Sequence, residues 1–243
     1  MPMSPARMVG LADISLRSLV NLHSPAHTSV ASLAPALRAL DKVGLSCIEP
    51  WGGMTVDHAL GVLGEDPWDR IASVGRHVVD TPLRLSLRGR CLLGFRPYPW
   101  PVVEGFLCRA VDSGISWFLI TEPLNDVEAL GRLAALVRDT GSRLSLTLAH
   151  PGDDVCGDDC IATLSARLAS LEPDTLCLRV PRGVGQDSAR SMVAAVRRAV
   201  ALPLEVDFDN GNRLAILAAL AAVEAGADVV HVSAAPRSLD ASA

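Results

Sequence analysis

Short apolar runs alternate along the whole chain with longer stretches whose apolar residues recur every three or four positions. The runs are Val9–Arg17, Leu45–Trp51, Leu83–Arg88, Trp117–Glu122, Arg143–His150, Thr175–Pro181, Leu204–Asp209 and Asp228–Ala234. Their length and β-branched content predict eight strands. The intervening stretches are Leu33–Val43, Val56–Val78, Val102–Ser113, Asp126–Thr140, Cys160–Leu171, Ser188–Val200 and Arg213–Ala225. They predict seven helices, the second broken near Pro67. Gly44, Gly114, Gly141 and Gly226 stand where the glycine after a helix belongs. Strict alternation of buried strands with helices implies a parallel sheet. Eight repeats imply that it closes into a TIM-type (β/α)8 barrel, read as one domain over residues 1–243. After the eighth run the chain continues only from Pro236 to Ala243, so an eighth outer helix is expected to be missing or replaced.

Composition agrees with this architecture. The chain has 243 residues, close to the usual barrel size, and 49% are hydrophobic. The formal net charge is -5, and basic residues are scattered. That argues against nucleic acid as a partner. The one charge run is acidic, from Asp153 to Asp159. No apolar run reaches the roughly 18 residues of a membrane span, and the longest, Leu214–Val223, reads as a helix. No secretory leader is evident near Met1, so a cytoplasmic chain is expected, its six cysteines mostly buried thiols.

Several segments carry a family likeness. LSLRGRCLLGFRPY, from Leu85 to Tyr98, is similar to the third-strand segment LLRGQNLLGYRHY of biotin-dependent carboxyltransferases. ALDKVGLSCIEPWGGMTVDHAL, GEDPWDRI, EPLNDVEAL and EAGADVV match further segments in the same order. The chain thus resembles the carboxyltransferase domain of pyruvate carboxylases, oxaloacetate decarboxylases and transcarboxylases. In that family a divalent metal at the barrel mouth polarises a 2-oxo acid and stabilises its enolate. The resemblance implies four ligand positions: an Asp after strand 1, a carbamylated Lys ending strand 6, and two His on strand 7. Here those positions hold Ser18, Arg179, Asp207 and Asp209. Arg17, Arg88 and Glu49 match functional or near-site positions, and Asn21 stands in place of a substrate-contacting Gln. Phe95, Leu119 and Glu122 replace a Tyr, an Arg and an Asp, and the carboxybiotin Thr of the eighth-strand loop has no counterpart.

These substitutions make a consistent charge exchange. Arg179 cannot be carbamylated and stays cationic. Asp207 and Asp209, two apart on a strand, face the same way. A guanidinium held by carboxylates would then replace the metal, so no cofactor is expected. The rival is a rebuilt metal site on Asp207 and Asp209, with ligands from His23 and His27 or from His150 and the CGDDC segment, Cys156–Cys160. His231, at the end of the eighth strand, is a further acid–base candidate.

Three readings follow. One is a repurposed, metal-independent enzyme on a small carboxylate or enolisable carbonyl. It would bind substrate through Arg17, Asn21, Arg88, Arg179 and Glu49, and do acid–base chemistry with Asp207, Asp209, Glu122 or His231. Decarboxylation, aldol-type cleavage and cyclisation would all suit it. The others are a non-catalytic ligand-binding or scaffold relative, and a carboxyltransferase with a rebuilt metal site. An uncovered barrel flank and the family's habit both point to a homodimer.

Overall fold

The computed structural model describes residues 8–19, 29–52, 56, 59–150, 156–180, 183–208 and 214–233. Eight parallel strands run through them: β1 (Gly10–Asp13), β2 (Cys47–Ile48), β3 (Arg84–Leu87), β4 (Trp117–Thr121), β5 (Arg143–Ala149), β6 (Thr175–Val180), β7 (Leu204–Phe208) and β8 (Val229–Val232). Their order is β2-β1-β8-β7-β6-β5-β4-β3. A bridge between Ile48 and Leu83 joins the two ends, and the sheet closes. All eight strands lie within the expected runs. β2 is the shortest, and β1 passes at once into α1 (Ser15–Leu19), whose start is capped by Asp13 through Ser15 N at 3.1 Å and Ser15 Oγ at 2.8 Å.

The remaining helices are α2 (Val30–Leu40), α3 (Pro67–Gly75), α4 (Trp100–Asp112), α5 (Val127–Asp139), α6 (Asp158–Ala169), α7 (Gln186–Ala199) and α8 (Leu214–Ala225). The expected break before Pro67 is real. A π turn, Ala59–Leu63, ends there, and Asp66 caps α3 by accepting from Trp68 N at 2.8 Å. Asp126 caps α5 in the same way, through Glu128 N and Ala129 N. Gly44, Gly114, Gly141 and Gly226 all take positive φ, as the helix-ending reading requires. The expected loss of an eighth outer helix falls on residues 234–243, outside the described residues. So do His23 and His27.

Alternation along the strands sorts side chains into two layers. The outward set, including Leu85, Phe118, Ile120, Leu146, Leu178, Val206 and Val230, packs against the helices as one large apolar core. The inward set is polar: Glu49, Arg84, Ser145, Thr147, Thr175, Glu205, Asp207 and His231 are all buried. Ala12, Cys47 and Trp117, with Val229, form a small apolar cluster inside.

The cysteines differ from expectation at one place. Cys156 and Cys160, before and within the first turn of α6, are joined by a disulfide with a Cα–Cα distance of 5.3 Å. Two sulfurs separated by one helical turn lie within bonding reach. Cys47 and Cys177 are buried free thiols, as expected, while Cys108 is an exposed one. Among the described residues no helix is long and apolar enough to cross a membrane.

Candidate active site in the barrel interior

The inward layer is organised around one side chain. Arg84, on β3, is 0% exposed. Its Nε donates to Glu49 Oε1 at 3.0 Å, and its Nη2 lies 2.9 Å from the same oxygen. Nη1 pairs with Glu205 Oε2, and Nη2 lies 3.0 Å from His231 Nε2. The guanidinium thereby ties β3 to β2, β7 and β8 across the barrel axis. It also stacks 5.0 Å from the ring of Trp117, whose other neighbour, Arg143, lies at 3.9 Å. Trp117 forms the floor, and its Nε1 donates to Ser145 Oγ at 2.7 Å.

Glu205 collects the polar groups of that floor. Its Oε1 accepts from Ser145 Oγ at 3.0 Å and Thr175 Oγ1 at 2.6 Å. Its Oε2 lies 2.8 Å from His231 Nε2, which favours a proton on that nitrogen. Burial alone would raise the Glu205 carboxyl, but Arg84 and His231 hold it well below the ordinary range. Glu49 follows the same logic: burial is outweighed by Arg17 and Arg84, and its pKa is lowered. For His231 burial works against protonation. The neighbouring Cys177 and Asp207 outweigh burial and Arg84, and its pKa is raised well above the usual value.

A second tier lies nearer the C-terminal mouth. Arg179 and Asp207 are direct partners in the register of β6 and β7. Arg179 Nε donates to Asp207 Oδ2 at 3.2 Å and Nη2 lies 3.1 Å away, so one carboxylate oxygen holds two guanidinium nitrogens. Arg17 Nη1 pairs with Glu49 Oε2 at 2.6 Å, while its Nη2 lies 3.9 Å from Asp207 Oδ2. His231 Nδ1 comes within 3.7 Å of the same oxygen. Among the described residues, three guanidiniums, Arg17, Arg84 and Arg179, thus face three carboxylates, Glu49, Asp207 and Glu205. The set is balanced with His231 neutral and gains one positive charge when it is protonated.

The expected salt bridge between Arg179 and Asp207 is present. Its other expected partner, Asp209, and the substrate-binding candidate Asn21 lie outside the described residues. Arg17, Glu49 and His231 join the same network. Two candidates do not. Arg88 is exposed and lies over the ring of Phe95 at 5.0 Å. Glu122 spends Oε2 on the backbone amides of Leu124 at 2.9 Å and Asp126 at 2.7 Å, which shapes the loop after β4. Sequence reading missed Arg84, Glu205 and Cys177. The available signal was the inward phase of β3, β6 and β7: Glu205 lies two residues before Asp207, and Cys177 two before Arg179.

Of the four positions at which the resemblance implies ligands for a divalent metal, the described side chains are Arg179 and Asp207, and they pair with each other. Where a carbamylated lysine would supply an anionic ligand, Arg179 places a permanent cation on Asp207. Deeper in the barrel, ligand atoms of Cys177, Glu205 and His231 lie within 4.8 Å of one another. Yet Arg84 contacts both Glu205 and His231 there, so a metal ion would share that space with a guanidinium.

Comparison with known proteins bears on the same barrel. No family model matches the chain. It is 28% identical over 230 residues to a pyruvate carboxylase subunit of Methanocaldococcus jannaschii, covering 94% of this chain and 41% of that protein. It is 24% identical over 239 residues to the methylmalonyl-CoA carboxyltransferase 5S subunit of Propionibacterium freudenreichii subsp. shermanii, covering 97% and 47%. The carboxyl transferase domain from Rhizobium etli pyruvate carboxylase, solved with pyruvate, superposes with a TM-score of 0.86 at 24% identity, covering 94% and 40%. The chain therefore spans less than half the length of these proteins, and the structural likeness carries the fold.

Proposed function

We propose that this chain, a divergent relative of the carboxyltransferase domains of pyruvate carboxylases and transcarboxylases, is a metal-independent enzyme for a small carboxylate or enolisable carbonyl. The observation that carries the reading is the Arg179–Asp207 pair at the mouth, above the network of Arg84, Glu205 and His231. Arg179 keeps 36% of its side chain exposed, so its remaining donors reach the mouth. With Arg17 it offers fixed positive charge to a carboxylate or a developing enolate oxygen. In this reading Asp207 exchanges a proton with the carbon next to that carbonyl. His231, 3.7 Å behind it, supplies the second titrating group. Decarboxylation, aldol-type cleavage and cyclisation share this requirement for an enolate held by cations.

A non-catalytic binding role is favoured by one observation: Asp207 and His231 are both nearly inaccessible. Exchange of α-protons in D2O separates the two readings. With a panel of 2-oxo acids, the enzyme reading expects exchange that survives chelator treatment and disappears in Asp207→Asn. Saturable binding without any exchange would support the ligand-binding reading. Exchange restored only by a divalent metal would support the rebuilt metal site. A homodimer is part of the proposal. Ile216, Leu217 and Leu220 leave an apolar face of α8 exposed, and sedimentation at micromolar concentration tests it.

A further inference from the structure

The bridge between Cys156 and Cys160 has no part in the chemistry above. It closes a loop of only four residues in sequence separation, at the start of α6. The constraint a disulfide puts on an unfolded chain grows with the loop it closes. So short a loop contributes little, and the surrounding barrel is already held by its strands and apolar core. The two sulfurs are also placed unequally. Cys156 is buried in the apolar core, whereas Cys160 is only partly covered. β5 precedes the pair in the chain, and Ala149, its last residue, is the register partner of Arg179.

We propose that Cys156 and Cys160 are a reversible dithiol–disulfide pair. Cys160 exchanges with small external thiols and disulfides, and Cys156 acts as the resolving sulfur. Starting from the dithiol, the Cys160 thiolate attacks one sulfur of a small disulfide RSSR. The RS–SR bond breaks, a mixed disulfide forms on Cys160, and RS⁻ leaves and takes up a proton. The Cys156 thiolate then attacks Cys160 Sγ, closing the protein bridge and expelling the second RS⁻. In sum, the two protein thiols are oxidised, one RSSR is reduced, and two RSH are released. Small thiols in excess drive the same steps backwards. Access decides the roles, because an external sulfur must reach the one it attacks.

Differential alkylation with peptide mapping tests this on the full chain, and mapping separates the pair from Cys91 and the exposed Cys108. Equilibration in oxidised glutathione should remove both thiols of the pair from the alkylated pool, and reduced glutathione should restore both. Cys156→Ser should trap a stable glutathione adduct on Cys160, and Cys160→Ser should leave Cys156 unmodified. An adduct that forms on Cys156 instead would overturn the assigned roles. Two thiols that stay alkylatable in wild-type protein across all oxidising buffers would overturn the pair itself, whatever the variants do.

Discussion

Arg179 and Asp207 face one another directly across β6 and β7, and a single oxygen of Asp207 receives two nitrogens of the guanidinium, at 3.1 and 3.2 Å. A cation and an anion on adjacent strands thus occupy two positions at which the family resemblance implies metal ligands. Asp207 is buried and Arg179 is partly exposed, so the pair faces the mouth from one side only.

Replacing Arg179 with Met should therefore act more on ligand binding than on folding. The exposure of the guanidinium limits the stability loss to about 1 kcal/mol. Binding of a carboxylate ligand should weaken by about tenfold or more, the loss of one charge-assisted contact. Calorimetry of Arg179→Met and Arg179→Lys with the same ligand checks this. Unchanged affinity in both variants would remove Arg179 from the site.

Arg84 should behave in the opposite way. Arg84→Met strands Glu49 and Glu205, both fully buried, without their shared cation. Breaking a buried pair from one side costs about 3–5 kcal/mol. Urea denaturation should show a midpoint far below wild type, and the triple variant that also carries Glu49→Gln and Glu205→Gln should recover part of the loss. A near-neutral Arg84→Met would mean that the network does not hold the barrel together.

Stability should have two pH limbs. Glu49 and Glu205 have lowered pKa values, so the stability they contribute is present above their ordinary value of 4.5 and is lost as pH falls through the lowered folded values. His231 has a raised pKa, so its contribution is fully present below 6.5 and fades as pH rises through the raised folded value. Stability from urea titrations should thus peak between these limits, and His231→Gln should flatten the alkaline limb and move the acid limb to higher pH, because His231 helps to hold Glu205 and Glu49 low. An alkaline limb unchanged in that variant would contradict a protonated His231.

Gly52 is needed for a reason that concerns Arg17. A Cβ at Gly52 would lie 2.6 Å from Arg17 Cγ and 3.2 Å from its Cδ. Gly52→Ala should therefore push Arg17 off Glu49 and resemble Arg17→Ala in ligand affinity. The double variant should be no worse than either single one, since both remove the same contact. Fully additive losses would show that Gly52 acts elsewhere.

Much of the architecture was legible in the order of residues, and the reason is local. Period-two alternation in strands such as LEVDF, with Leu204, Val206 and Phe208 outward, decides which face is apolar. Helix-ending glycines and the Asp66 and Asp126 caps act within one turn. The Arg179–Asp207 contact was also within reach, because neighbouring strands of a parallel barrel bring their ends together. What only the tertiary structure decided is the partnership of Arg84. It joins Glu49, Glu205 and His231 across sequence separations of 35, 121 and 147 residues. An Arg in an apolar strand announces that it needs anions but not which ones. Arg88 and Glu122 show the converse. Both sit at strand ends where catalytic groups belong, yet one lies over Phe95 at the surface and the other is spent on loop amides. Position along a strand sets which tier of the barrel a side chain can enter. Closure of the barrel sets which charges meet there, because burial removes the water that would otherwise solvate each of them.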